Sequence, residues 1–209
     1  MPSPLLNSKP METTINPLFF ILALLLFHTY YHAASSAVAC TIYPISNFVH
    51  SSCRATRYPN LCEQTLSGYS GTFHTNPRLI AETALSISLA HAQSALSYVN
   101  HLSTLSSNGV VQDCVENMGS SVDNLRSSTK KMDRIGRAGS QGFHYQLNNV
   151  LTWCSAALTD ITTCLDSFEE YDGKKMHFMI MMKKKVAKVE MITSNALGLV
   201  NRLSTIKNY

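Results

Sequence analysis

The residues of this 209-residue chain best able to do chemistry are six cysteines: Cys40, Cys53, Cys62, Cys114, Cys154 and Cys164. No two stand as Cys-x-x-Cys, and none is spaced against histidine as a zinc ligand would be. In an oxidising compartment they therefore read as bridges rather than metal ligands. Counting alone does not choose the pairing. Cys53 and Cys62 lie nine positions apart with Tyr58-Pro59 between them. Proline is hostile to a helix interior and pushes the residue before it toward extended geometry, so the chain must turn here. A local bridge could close that turn and would contribute about 2 to 3 kcal/mol by the loop-entropy model; pairing of either cysteine elsewhere stays open. His91 and His101 are nearly three helical turns apart, and the chain has no Glu-x-x-His motif, so both read as polar positions in or beside a helix seam. There is no nucleophile elbow, Gly-rich phosphate loop or dinucleotide fingerprint, and no serine or threonine is patterned with a histidine and a carboxylate. These residues imply neither an enzyme nor a cofactor nor a metal site.

The compartment follows from the start of the chain. Pro17 to Phe27 is an apolar run about half the length of the roughly 20 residues a spanning helix needs. Small residues follow, and Ala37-Val38-Ala39 forms a signal-cleavage pattern that would leave Cys40 at or near the mature end. Residues 1–39 are accordingly read as a secretory signal peptide, with a retained short anchor as the alternative. Lys9 and Glu12 cancel within that leader, so the formal charge of +4 belongs to the processed chain. Such a mild excess suits weak attraction to an acidic polysaccharide. It falls far short of a nucleic-acid binder, and no aromatic-studded basic stripe accompanies it.

The elements that would hold the cysteines are helical. Phe143, Leu147, Val150, Cys154, Ala157, Ile161, Leu165 and Phe168 recur every three or four positions, one continuous inward stripe. Cys164 lies near that stripe, where a partner helix could supply a second sulfur. Upstream, Gly68 to Gly71 breaks the chain, and Asn76-Pro77 reads as a cap followed by proline in the first helical position. Ile80, Ala84, Ile87, His91, Ser94, Tyr98, His101 and Leu105 then continue at helical spacing, ending near Ser106 to Gly109. A second helix runs from about Val110 to Met132, with Cys114, Met118, Val122, Leu125 and Met132 on one side. Asp113 and Glu116 in its opening turns, and Arg126, Lys130, Lys131 and Arg134 toward its end, suit the helix dipole. Glycines 136, 139 and 142 interrupt the pattern before the Phe143 stripe begins. Asp172-Gly173 marks the last turn. The final helix carries Met182, Val186, Val189, Ile192, Ala196, Leu199 and Leu203 inward, with Lys183, Lys185 and Lys188 mostly outward. Those lysines among methionines would also fit a membrane-surface helix, but the apolar face continues without basic flanks, as a bundle seam does. Four amphipathic helices with short connections and no convincing strand make an all-α, antiparallel up-down four-helix bundle, residues 76–209, preceded at 40–75 by a separate small helical extension.

A set of motifs then carries a resemblance. These are Phe48-Val-His-Ser-Ser-Cys53 through Tyr58-Pro-Asn-Leu-Cys62; Asp113-Cys-Val-Glu116 with Asp123-Asn-Leu125; Thr152-Trp with Ser155-Ala-Ala-Leu-Thr159 and Thr163-Cys-Leu-Asp-Ser-Phe168; and Thr193-Ser-Asn-Ala-Leu197 with Leu199-Val-Asn201. In this order and spacing, over about residues 47–206, the chain resembles the plant invertase and pectin methylesterase inhibitor family. The resemblance implies a secreted four-helix bundle with a disulfide-closed N-terminal helical hairpin. It also implies connectivity: Cys53 with Cys62, and Cys114 with Cys164, the latter closing a loop for which the entropy model gives about 4 kcal/mol. Cys154 has no family partner and reads as a buried, inert thiol; Cys40 is left over, for a bridge to Cys154 or a pair between molecules.

The family's implied action is to cover the active-site cleft of a pectin methylesterase or an acid invertase in the cell wall, the apoplast, with no stable membrane association. Carried over by motif position, Glu116, Asp123, Thr163 and Asp166 are the partner-binding or supporting residues. Glu116 also reads as part of a buried polar network between helices, with a solvated helix carboxylate as the equal alternative. Met118 and Ser120 stand where an aromatic and an acid commonly follow Glu116, a departure that would weaken binding or change its pH dependence. The wording of the motifs is nearer the pectin methylesterase inhibitors, and no Pro-Lys-Phe, a tripeptide associated with invertase-inhibiting relatives, occurs. A pectin methylesterase is therefore the expected partner, in a one-to-one complex. Acid invertase is the alternative, and a non-inhibitory structural or signalling bundle is the third reading.

Overall fold

The computed structural model describes residues 47–105, 109–169 and 177–205, and every regular element among them is helical. Two short helices, α1 (Asn47–Cys53) and α2 (Pro59–Leu66), form an N-terminal hairpin, followed by a 3-10 segment, Ser67–Thr72. Four long helices follow: α3 (Pro77–Ser103), α4 (Gly109–Met132), α5 (Phe143–Glu169) and α6 (His177–Arg202). Each long helix packs on two neighbours, in the order α3, α4, α5, α6 and back to α3. This is the antiparallel up-down bundle. The signal-peptide reading of 1–39, Cys40 and the Asp172-Gly173 turn lie outside the described residues.

Local chemistry explains the ends of the helices. The side chain of Asn76 accepts hydrogen bonds from the backbone N–H groups of Arg78 and Leu79 at 2.9 and 3.3 Å, with Pro77 occupying the position whose missing N–H costs nothing. His74 and Thr75 reach that cap through positive φ angles of 43° and 63°, a left-handed pair that the buried Phe73 on one side and the cap on the other hold in place. The far end of α4 is closed by a neighbour. Arg78, paired with Glu82 at 2.6 Å, donates to the carbonyls of Ile135, Met132 and Asp133 at 2.8, 3.1 and 3.4 Å, meeting the negative end of the α4 dipole with a cation. Asp113 and Glu116, by contrast, fall beyond the first turn of α4, which holds no acid, so the dipole gives them little. Gly139 and Gly142 bring the chain into α5 at φ 79° and 84°, angles that side-chain-bearing residues rarely adopt.

The core stripes of α4, α5 and α6 lie where the apolar spacing puts them; Leu165 alone is half-buried and packs against the core. On α3 the stripe is displaced. Ile80 and Ala84 are buried, but the inward line then passes through Ala81, Leu85, Ser88, Ala92, Ala95 and Val99. His91 and Tyr98 sit half-buried on the flank, Ser94 and His101 are exposed, and Leu105 is 71% exposed. Between Ile80 and Leu85 at one end and Val99 at the other, the inward line is made of small residues, Ser88, Ala92 and Ala95, while Ile87 and Tyr98 lie on the flank. The hairpin is not a separate extension either: Val49, Cys53, Cys62 and Leu66 belong to the same buried cluster as the bundle. Such short helices could not bury an apolar face alone.

Candidate functional site

No group of cysteine, histidine or carboxylate residues able to hold a metal ion occurs among the described residues. What the structure builds with its chemistry-bearing side chains is a braced surface. Cys114 on α4 and Cys164 on α5 form a disulfide with their Cα atoms 4.5 Å apart, both cysteines fully buried. Further along the same seam Asn124 Nδ2 donates to Asp160 Oδ2 at 3.1 Å, and the buried Ser128 hydroxyl donates to the carbonyl of Val150 at 3.2 Å. Three ties of different kinds thus lock α4 to α5. Asn124 lies inside the Asp-Asn-Leu motif, yet nothing in its spacing announces an acceptor thirty-six residues away.

Outside this seam the four carried-over residues are all exposed. Glu116 and Asp123 are seven positions apart on α4, on the side turned away from Cys114, Met118 and Leu125. Asp123 is held by Arg126 one turn on. Thr163 donates its hydroxyl to the carbonyl of Thr159 at 3.0 Å, and Asp166 stands one turn further along α5. Glu116 is therefore not part of a buried network: the positions around it that face inward are Cys114 and Met118, and the carboxylate points to solvent. Met118 is fully buried, so its departure from the family pattern alters the core and not a contact surface; Ser120 is exposed. The part of this surface around the bridge is acidic: α5 carries Asp160 and Asp166 and no lysine or arginine, and α4 carries Asp113, Glu116 and Asp123 up to Leu125, beyond which Arg126, Lys130 and Lys131 supply bases.

The hairpin is seated by a second set of polar contacts. Cys53 and Cys62 are bridged, with Cα atoms 5.5 Å apart. The turn between them is gripped by Asn195 of α6, whose Oδ1 accepts from Tyr58 N–H and whose Nδ2 donates to Tyr58 C=O, both at 2.9 Å. Asn195 is only 4% exposed. Arg202 adds a bond to the carbonyl of Ser52 at 2.8 Å, and Tyr58 Oη donates to Glu190 at 3.3 Å. Across the core the Ser88 and Thr193 hydroxyls pair at 2.7 Å. Within the Thr-Ser-Asn-Ala-Leu motif on α6, Asn195 thus docks the hairpin while Thr193 ties α6 to α3.

Comparison with known proteins places this architecture. The profile of the family described as Plant invertase/pectin methylesterase inhibitor matches residues 47–199, which takes in both bridges, the acidic surface and Asn195. The chain belongs to that family. Among its inhibitor-family relatives, Pectinesterase inhibitor 9 of Arabidopsis thaliana is 44% identical over 166 residues, 75% of this chain and 80% of that protein. Pectinesterase inhibitor 3 of the same plant is 42% identical over 164 residues, 75% and 79% of the two chains. The 21 kDa protein of Daucus carota is 37% identical over 179 residues, 82% and 89%. A solved structure of a pectin methylesterase inhibitor from Arabidopsis, mutant form A, superposes with a TM-score of 0.58 at 19% identity, over 71% of this chain and 92% of that one. A second, from Arabidopsis thaliana, gives 0.52 at 20% identity, over 76% and 97%. At these identities the superpositions speak for the shared bundle.

Proposed function

We propose that this chain is a secreted, non-enzymatic inhibitor of pectin methylesterase, which acts in the cell wall by seating one copy over the enzyme's cleft and keeping pectin out. The observation that carries the reading is the 44% identity to a pectinesterase inhibitor over 80% of that protein's length. The geometry supports it. A bundle whose α4 and α5 are tied by a disulfide and two hydrogen bonds presents a pre-organised surface, so little ordering is needed on association. That surface is acidic and exposed, which suits steering toward a basic partner face. Residues 1–39 serve as the leader that is removed on export, and residues 47–206 form the inhibitory module. Thr163 and Asp166, beside the buried bridge, are the contact residues on α5, with Glu116 and Asp123 on α4.

Single substitutions on the surface test this. Thr163→Arg, Asp166→Arg and Glu116→Arg each introduce a long cation at an exposed helix position where folding tolerates it. The expected result is inhibition of a plant pectin methylesterase weakened about tenfold or more by at least one of them, with thermal unfolding unchanged. Full inhibition by all three would place the contact on another face.

A further inference from the structure

The largest excess of cations on any helix lies on α6, apart from the acids that surround the α4–α5 bridge. Opposite the acidic α4 and α5 surface lie α3 and α6. α6 carries Lys183, Lys184, Lys185, Lys188 and Arg202 against one acid, Glu190, which accepts from Tyr58 Oη. α3 carries one acid, Glu82, which is engaged by Arg78. Lys184 and Lys188, one helical turn apart, are exposed on α6. Lys185 leans toward α3, its Nζ 5.6 Å from the centre of the Tyr98 ring, and the His91 imidazole stands half-buried beside them. The His91 pKa is lowered by its burial and then by the charges of Lys188 and Lys185, which places both lysines near the ring. Among the described residues no ion pair engages Lys184, Lys185 or Lys188, so these three cations give the patch a positive potential.

We infer that the α3 and α6 face, through Lys184, Lys185 and Lys188 beside Tyr98, is a second interaction surface that binds a carboxylate-bearing sugar polymer, namely pectin from which the methyl esters have been removed. Three features select this occupant. A row of cations along one helix matches the repeated carboxylates of a uronic-acid chain, and the Tyr98 ring adds an aromatic edge to it. Single-stranded nucleic acid asks for a series of stacking aromatics, and among the described residues Tyr98 is the one ring met by a lysine of this face. A bilayer asks for a broad apolar face; α6 turns Met179, Met182, Val186 and Val189 into the core and exposes two large apolar residues, Ile180 and Met181, at 40% and 43%, fewer than its lysines. The choice of polymer rests on the esterase reading, because ester hydrolysis is what leaves carboxylates on pectin. The inhibitor would then gather where its target has already acted, with its acidic face still free for the enzyme.

The test is electrophoretic retardation of the oxidised protein in gels containing polygalacturonate, beside gels containing highly methyl-esterified pectin. The wild-type protein should be retarded by polygalacturonate, less by the esterified polymer, and progressively less as salt is added. The combined variant Lys184→Gln, Lys185→Gln, Lys188→Gln should bind about tenfold more weakly, while Lys130→Gln, Lys131→Gln on α4 should change binding by less than about twofold. Equal weakening by the two sets would reduce the effect to net charge and overturn the proposal. So would unchanged binding of the triple variant, or tighter binding to vesicles of phosphatidylserine and phosphatidylcholine than to the polymer. No esterase is present in these gels, and the triple variant is assayed separately for inhibition, which should be retained. Polymer binding without any esterase inhibition by the wild-type protein would uphold this surface and overturn the inhibitor reading alone.

Discussion

Cys154 stands in the middle of the α5 core stripe, unbridged and without exposure, and burial pushes its thiol up from 9.0 to about 12. A thiolate is the nucleophile, so the folded protein should leave this sulfur unmodified by a thiol reagent at neutral pH and expose it only on unfolding. Mass spectrometry after labelling with and without denaturant checks this; modification of Cys154 in the native state would contradict the buried placement. His91 gives the pH counterpart. Its folded pKa lies below the ordinary 6.5, so the unfolded chain takes up a proton that the folded chain resists. Its contribution to stability is therefore fully present above the unfolded value and lost as pH falls through 6.5 toward the lowered folded value. Comparing melting temperatures at about pH 7 and about pH 5, His91→Gln should lose less on acidification than the wild type. Parallel losses would remove the histidine from the account.

Helices and their joints carry the next level. The bridge between α4 and α5 spans a sequence separation of 50, and removing it by the double change Cys114→Ala, Cys164→Ala should cost about 4 kcal/mol in chemical denaturation. Asn195→Ala should cost about 1 to 3 kcal/mol, because it takes the acceptor from Tyr58 N–H and one of two donors from Tyr58 C=O, which keeps Cys62 N–H. It should also loosen the Cys53–Cys62 hairpin before the bundle melts, an effect that hydrogen exchange at the hairpin amides would reveal. The periodicity of α4, α5 and α6 was legible because large apolar residues there alternate with charged ones. On α3 it was not. Its inward line of Ala84, Ser88, Ala92 and Ala95 hardly differs in hydropathy from its outward serines, so the larger Ile87, Tyr98 and Leu105 drew the stripe to the wrong side. Close helix approach selects small residues, and small residues are poor markers of a face. The docking role of Asn195 was hidden for another reason: its partner is backbone, and a backbone group has no signature in the sequence.

At the scale of the whole molecule, the bundle architecture followed from four amphipathic segments, while the seating of the hairpin in the same core did not, since Val49 and Leu66 are too few to form a pattern. The acidic residues of the surface could be placed by motif but their environment could not. Glu116 turned out to be solvent-facing and Met118 to be core, which leaves Ser120 as the one exposed departure from the family pattern on α4. A loss of inhibition can therefore not be blamed on Met118 as a missing contact. The separation of the acids around the α4–α5 bridge from the lysines of α6 also emerges only when the helices are assembled in order, because acids and bases alternate in blocks along the sequence.

The most direct test of the central claim is a parallel titration of the purified, oxidised protein against a plant pectin methylesterase and an acid invertase at mildly acidic pH. The account predicts saturating inhibition of the esterase at one protein per enzyme and none of the invertase. Inhibition of the invertase alone, or of neither enzyme with both disulfides verified, would contradict it.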